Sequence, residues 1–381
     1  MGACVVSREG EINLIGTTYY ICKSRNWQNA TVIEYNTYGW EPGIEGEVRK
    51  GLVSGFYIYK NDSWQEATIL EYETYGWGPG EEGEVRKGQI QSSRYFIYKN
   101  NMWQTASILE YNTYGALCPH DGEIVSGIVT SLYKYVCDAD SFRMANTLEI
   151  RLNKGCVSYI SGIDYVPEGQ MSHYKCDNGG TWLFDVEKNL NTFIDSRDGT
   201  TYKMITIGNQ TWMAENLNYN ASETSYCNNC ATYGRLYTWN AAVDKAEKEC
   251  GYGHKCSLQK KQIQGICPDG WHLPDSTEFA ILFVTVGGQS KAAKVLKSAT
   301  TDWYGGGRGT DLYGFSALPT GVKPVGSSGY VGRHMTAFWT SKEADSTLAR
   351  CITFNYKDDN ADMDFYVKNA GVPIRCVKNE E

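Results

Sequence analysis

The chain has little proline, little histidine, fewer basic than acidic residues and no long apolar run. Nine prolines against 40 glycines and 28 tyrosines leave the turns to glycine and much of the apolar surface to tyrosine, a β-rich composition of short strands. No stretch approaches the roughly 20 continuous apolar residues that span a bilayer, so no transmembrane segment is expected. Of the five histidines, His254, His272 and His334 are scattered, and no Ser/His/Asp hydrolase arrangement is recognisable from spacing. Residues 1–194 hold 24 acidic and 16 basic residues while 195–381 hold 20 of each, which places the whole net charge of −8 in the first half. That balance disfavours nucleic acid and anionic lipid, and points to a neutral or basic partner.

What is present in the first half is a repeat. Trp27, Trp64, Trp103, Phe142 and Trp182 recur at intervals of 37, 39, 39 and 40 in similar frames, as in YIYKNDSWQEATILEYETYG from Tyr57 to Gly76. Five modules follow: 1–39, 40–76, 77–115, 116–155 and 156–194, with a different texture over 195–381. Cysteines come and go in pairs, with Cys4 and Cys22, Cys118 and Cys137, and Cys156 and Cys176 in the first, fourth and fifth modules. Both are missing from the second and third, where Pro42 and Tyr59, then Pro79 and Tyr98, stand instead. Cysteines lost together are partners, because losing one alone leaves a reactive thiol. The two unstapled modules carry extra tryptophans, Trp40 and Trp77, read as packing that replaces the staple.

Each module reads as a three-stranded meander: a strand near Glu47-Val48 or Glu84-Val85, a second at Tyr-x-Tyr or Tyr-x-Cys, a polar turn such as Lys60 to Ser63, and a third from the tryptophan. The segment Ala67 to Tyr72 fits either a helical turn or an extended link. A module this small buries little core alone, so the tryptophans are expected inside. Tyr38, Tyr75 and Tyr114 recur one module apart before Gly39, Gly76 and Gly115. They are candidates either for stacking on sugar faces, with avidity from repetition, or for packing between modules. Ala3-Cys4 also fits the end of a bacterial lipidation site, against which the pairing of Cys4 with Cys22 weighs, and Met1 need not be the natural terminus.

The second half carries long motifs in order: MITIGNQTWMAENLNY at Met204 to Tyr219, YGRLYTWNAA at Tyr233 to Ala242, GICPDGWHLPDSTEF at Gly265 to Phe279, GTDLYGFSALPTG at Gly309 to Gly321, FWTSKEA at Phe338 to Ala344 and VPIRCVK at Val372 to Lys378. Over 195–378 this resembles the Fibrobacter succinogenes major paralogous domain. The resemblance implies a secreted or surface-attached bacterial protein in which short cysteine and tryptophan repeats precede this domain. It also implies an α+β, C-type lectin-like fold shared with formylglycine-generating enzymes. It implies no reaction.

From the residues, Asp275 and Glu278 cap a helix over Thr277 to Val286. Further helices are expected over Thr238 to Glu249 and Lys291 to Ser298, and strands over Phe315 to Leu318, Ala337 to Thr340, Ala349 to Tyr356 and Pro373 to Val377. Seven cysteines lie here. Cys227 with Cys230 and Cys250 with Cys256 are local pairs, Cys267 with Cys376 ties the Trp-His-Leu-Pro entry to the closing strand, and Cys351 is left as a buried free thiol. A redox role for Cys227-x-x-Cys230 lacks the surrounding βαβ pattern.

Asp358, Asp359, Asp362 and Asp364, on the loop before the final strand, are a weak candidate for calcium, without the glycine and glutamate of an EF-hand loop. By resemblance, Trp339, Tyr356 and Asn360 join the ligand candidates. Gly305 to Gly309 lacks the Lys-Ser/Thr ending of a phosphate cradle and reads as a loop. Beyond the possible calcium no cofactor is expected. The leading functional expectation is a non-catalytic extracellular or cell-surface binding protein, a repeat stalk with a lectin-like head for glycan or polysaccharide adhesion. The alternatives are a structural surface fibre or spacer self-associating through the repeats and an enzyme related to formylglycine-generating proteins.

Overall fold

The computed structural model describes residues 2–90, 93–118, 120–157, 160–221, 224–227, 229–258, 262–326 and 332–380. The chain forms two compact units, residues 1–146 and 147–381. The fold is β-rich, with small three-stranded antiparallel sheets and few helices.

The first unit holds four of the expected meanders, with the Tyr-x-Tyr or Tyr-x-Cys strand in the middle of each sheet. In the second module Val48–Lys50, Phe56–Lys60 and Ser63–Glu66 pair antiparallel. The hairpin Lys60 to Ser63 turns in two residues, Asn61 and Asp62, both at positive φ (50° and 60°), the backbone of a type I′ turn. The turn's leading N–H donates to Glu45, and the equivalent N–H of Asn100 donates to Glu82, each at 3.1 Å.

The segment left open by the sequence is helical. Thr68 accepts the N–H of Glu71, whose carboxylate accepts the N–H of Thr68, and this capping box starts the helix Ile69–Glu73. Thr31 with Glu34 and Ser107 with Glu110 repeat it for Val32–Asn36 and Ile108–Thr113. Each glutamate also pairs with a lysine on the middle strand: Lys23, Lys60 or Lys99.

Three disulfides staple the modules that carry cysteines: Cys4–Cys22, Cys118–Cys137 and Cys156–Cys176. Where the staple is missing, an aromatic stack fills the space. Trp40 meets Trp64 edge-on with centroids 4.8 Å apart, and Tyr59, in the cysteine's place, meets Trp64 at 5.3 Å. Trp77, Trp103 and Tyr98 repeat this at 4.8 and 5.2 Å. Arg49 and Arg86 lie over Trp64 and Trp103. The indole N–H of Trp103 donates to Gly78 O, and that of Trp182 to Lys154 O.

At the end of each of the first three helices a polar residue joins one module to the next, and in the fourth, Thr147–Leu152, the joining residue is Glu149 of the first turn. Asn36, Glu73, Asn112 and Glu149 are all 0% exposed. Asn36 Oδ1 accepts the N–H groups of Val53 and Ser54 in the following module, Glu73 that of Ile90, Asn112 that of Thr130 and Glu149 that of Cys156. The series stops at both ends. In the first module Ile15 pairs with Thr18 across a tight turn, so the receiving loop is absent. In the fifth, Asn189 bonds back to His173 N and O.

In the second unit the fifth module, Asp164–Tyr165, Tyr174–Cys176 and Trp182–Phe184, packs on the larger domain. Phe184 meets Tyr313 with centroids 4.9 Å apart, and Ser172 Oγ accepts the N–H of Gly208. Leu190–Ile194, counted with the fifth module in the sequence, pairs with Thr201–Ile207. It is the edge of a five-stranded sheet continued by Gln210–Met213, Val377–Lys378 and Trp271–His272. A second sheet comprises Met335–Glu343, Leu348–Asn355 and Ala361–Val367. Trp212, Phe279, Phe338 and Phe354 fill the space between the sheets and the helices.

The capped helix runs Ser276–Thr285 and its successor Gln289–Leu296. The region 238–249 breaks into two short helices, Trp239–Ala242 and Glu247–Cys250. Two expected strands are corrected. Residues 315–318 form a single bridge at Ala317, because Phe315 turns into the core, and only Val377–Lys378 of the closing segment pairs as a strand. No single helix among the described residues is long and apolar enough to cross a membrane.

Candidate functional site

The ligand candidates named from the sequence do not converge. Trp339 is 0% exposed and its indole N–H donates to Tyr237 O at 2.7 Å, so it is a core residue and leaves the candidate surface. Alternation along its strand could not reveal that both faces of the sheet are covered. Asn360 donates to the Asp362 carboxylate. Tyr38, Tyr75 and Tyr114 are exposed on successive modules.

Asp358, Asp359, Asp362 and Asp364 are exposed, but only Asp358 and Asp359 lie on the loop, since Asp362 and Asp364 pair within the strand Ala361–Val367. Among the described residues, Cys118, Asp121 and Cys137 are the one group in which three candidate metal ligands approach within 4.8 Å, and those two cysteines form a disulfide. The acidic loop instead holds a cation of the chain itself. The Lys297 ammonium, 5.1 Å from the Trp303 ring centroid, donates to Asn355 O at 2.8 Å and Asp358 O at 3.0 Å. Its burial lowers the lysine pKa, against the opposing pull of Asp359.

Tyr356 belongs to a surface cluster whose other members the sequence did not single out. Tyr304 (52% exposed) faces His334 at 4.3 Å between ring centroids, and Tyr356 stands edge-on to both, at 5.4 and 5.3 Å. Backbone bonds fix the three rings: Tyr304 N–H donates to Arg333 O and Tyr356 N–H to His334 O, each at 2.8 Å. The glycine run beside Tyr304 has a packing reason. A Cβ at Gly307 would lie 2.2 Å from Tyr356 O, so only glycine lets the loop approach. An aromatic residue next to three glycines was the available signal. This cluster presents apolar ring surface beside polar edges, the chemistry that stacks on sugar faces.

A separate cleft of about 640 Å3 opens elsewhere on the domain. Its wall runs along Thr200 to Lys203, Ala214 to Asn216 with Asn218, Cys230 to Thr232 and Ser298 to Thr300. Asn218 Oδ1 is buried without a hydrogen-bond partner among the described residues, a cost of about 1–3 kcal/mol for such a group. Burial also holds the Tyr202 phenol up at about 12.

The remaining cysteines pair as expected: Cys227–Cys230, Cys250–Cys256 and Cys267–Cys376. Cys351 is free and buried, and desolvation pushes its thiol well above the ordinary range. Among the described residues Cys351 is the one free cysteine, so no pair of free thiols is present there.

These features define a disulfide-stapled, modular β-rich protein with a larger C-terminal domain. Residues 205–378 match the family model of the Fibrobacter succinogenes major domain, so the C-terminal half carries that domain. No curated protein and no solved structure matches the chain.

Proposed function

We propose that this is a non-catalytic extracellular or cell-surface binding protein whose C-terminal domain is a lectin-like head for glycan or polysaccharide, with the repeats as its stalk. The observation that carries the reading is the surface ring cluster of exposed Tyr304 and His334 with half-buried Tyr356. Six disulfides support an oxidising compartment. The test is retention of the full chain on a panel of insoluble polysaccharides, with calcium and with chelator. Retention that Tyr304→Ala and Tyr356→Ala abolish at unchanged Tm supports the reading, and no retention on any member sinks it. Loss in chelator would assign calcium to Asp358, Asp359, Asp362 and Asp364.

The fibre reading draws on exposed aliphatic side chains of the repeats, Ile44, Leu117 and Leu132. Against it stand the two ends of the series of joining residues, where the first module turns tightly at Ile15 to Thr18 and Asn189 bonds back to His173. Light scattering across concentration separates the two: particle growth favours assembly, and a constant mass favours the binding protein.

A further inference from the structure

The cleft is built for a ligand different in kind from a polymer surface. Its charges already have partners. Lys203 lies 3.6 Å from Glu215, and the Asp311 carboxylate accepts both the N–H and the hydroxyl of Ser316. Behind the wall the fully buried Arg375 donates to Asn216 Oδ1 and Ser316 O. Two acids and two bases leave no net field to draw an ion.

The uncharged polar groups, by contrast, are uncommitted. The Tyr202 hydroxyl accepts the N–H of Asn218 at 2.9 Å, and its own proton has no acceptor among the described residues. The hydroxyls of Thr200, Thr201 and Thr232 line the cleft and likewise have no partner there. Val186, Leu190, Ala214 and Leu318 add apolar surface to the lining. A lining that mixes uncommitted hydroxyls with aliphatic surface suits a molecule that is itself a ring of hydroxyls over C–H faces. The volume falls in the ordinary range for small-molecule sites, roughly 300–1,000 Å3.

We infer that this cleft binds a small uncharged polyhydroxy ligand, a mono- or disaccharide. Tyr304, His334 and Tyr356 are absent from its lining, so the inference stands apart from the surface cluster and from polymer retention.

Isothermal titration calorimetry on the full chain with neutral mono- and disaccharides tests it, with a uronic acid and an amino sugar as charged controls. Expected is saturable binding of at least one neutral sugar. Thr232→Trp, at an exposed position on the rim, and Tyr202→Phe should each weaken it about tenfold or more, while Tyr304→Ala leaves it unchanged. The inference falls if no neutral sugar binds saturably at about 10 mM, a concentration that would fill a site with a Kd of 1 mM. It falls equally if only the charged sugars bind, or if Thr232→Trp leaves the affinity as it was.

Discussion

The Asn36 carboxamide oxygen, at the end of one module's helix, accepts the N–H groups of Val53 and Ser54 in the next module at 2.9 and 2.7 Å. Its amide nitrogen donates to Val32 O within its own helix, so one buried side chain ties the two modules together.

Replacing Asn36 with Ala strands two N–H groups and should destabilise the protein by about 1–3 kcal/mol in urea unfolding. Asn36→Asp keeps an acceptor at the site, as Glu73 does in the next helix, and should cost less.

Trp40→Ala should cost about 2–4 kcal/mol, because it opens a hole in a module that has no disulfide to limit unfolding. Hydrogen exchange should rise across residues 48–73 more than elsewhere.

His272 makes stability depend on pH. Burial opposes its charge, but the bond from Nε2 to Glu278 at 2.6 Å, with help from Asn379 and Asp275, outweighs burial and raises its pKa above 6.5. A base with a raised folded pKa adds stability that is complete below the unfolded value, and that stability is lost as pH rises through the folded value. Tm should therefore fall as pH rises above about 6.5, and His272→Gln should flatten that slope.

Cysteine chemistry gives a direct count. Native protein should not react with a thiol reagent, since Cys351 is buried and held protonated. Denatured, unreduced protein should show one thiol. Replacing Cys267 and Cys376 with Ala together opens a link between residues 109 apart and should cost roughly 4–5 kcal/mol on the loop-entropy account.

The repeat and its cysteine pairs were legible because periodicity and paired loss are properties of the sequence itself. So was the helix at Ser276, whose cap lies within four residues. The helix Ile69–Glu73 stayed undecided because a five-residue helix has too few turns to show a period. Asn36, Glu73 and Asn112 recur visibly, yet polar residues read as surface until their partners in the next module are known. Tyr304, His334 and Tyr356 come from three separate segments, so only the folded sheet brings them together. Trp339 misled for the converse reason, since a strand pattern shows alternation but not what covers each face.

Val377 pairs with Trp212 on one side and His272 on the other. This strand sits inside its sheet, so a growing chain cannot complete that sheet until residue 378 has been made. The early modules contain only local pairings and can fold one after another during synthesis. A chain cut short before this strand would present well-formed repeats attached to a domain that cannot close.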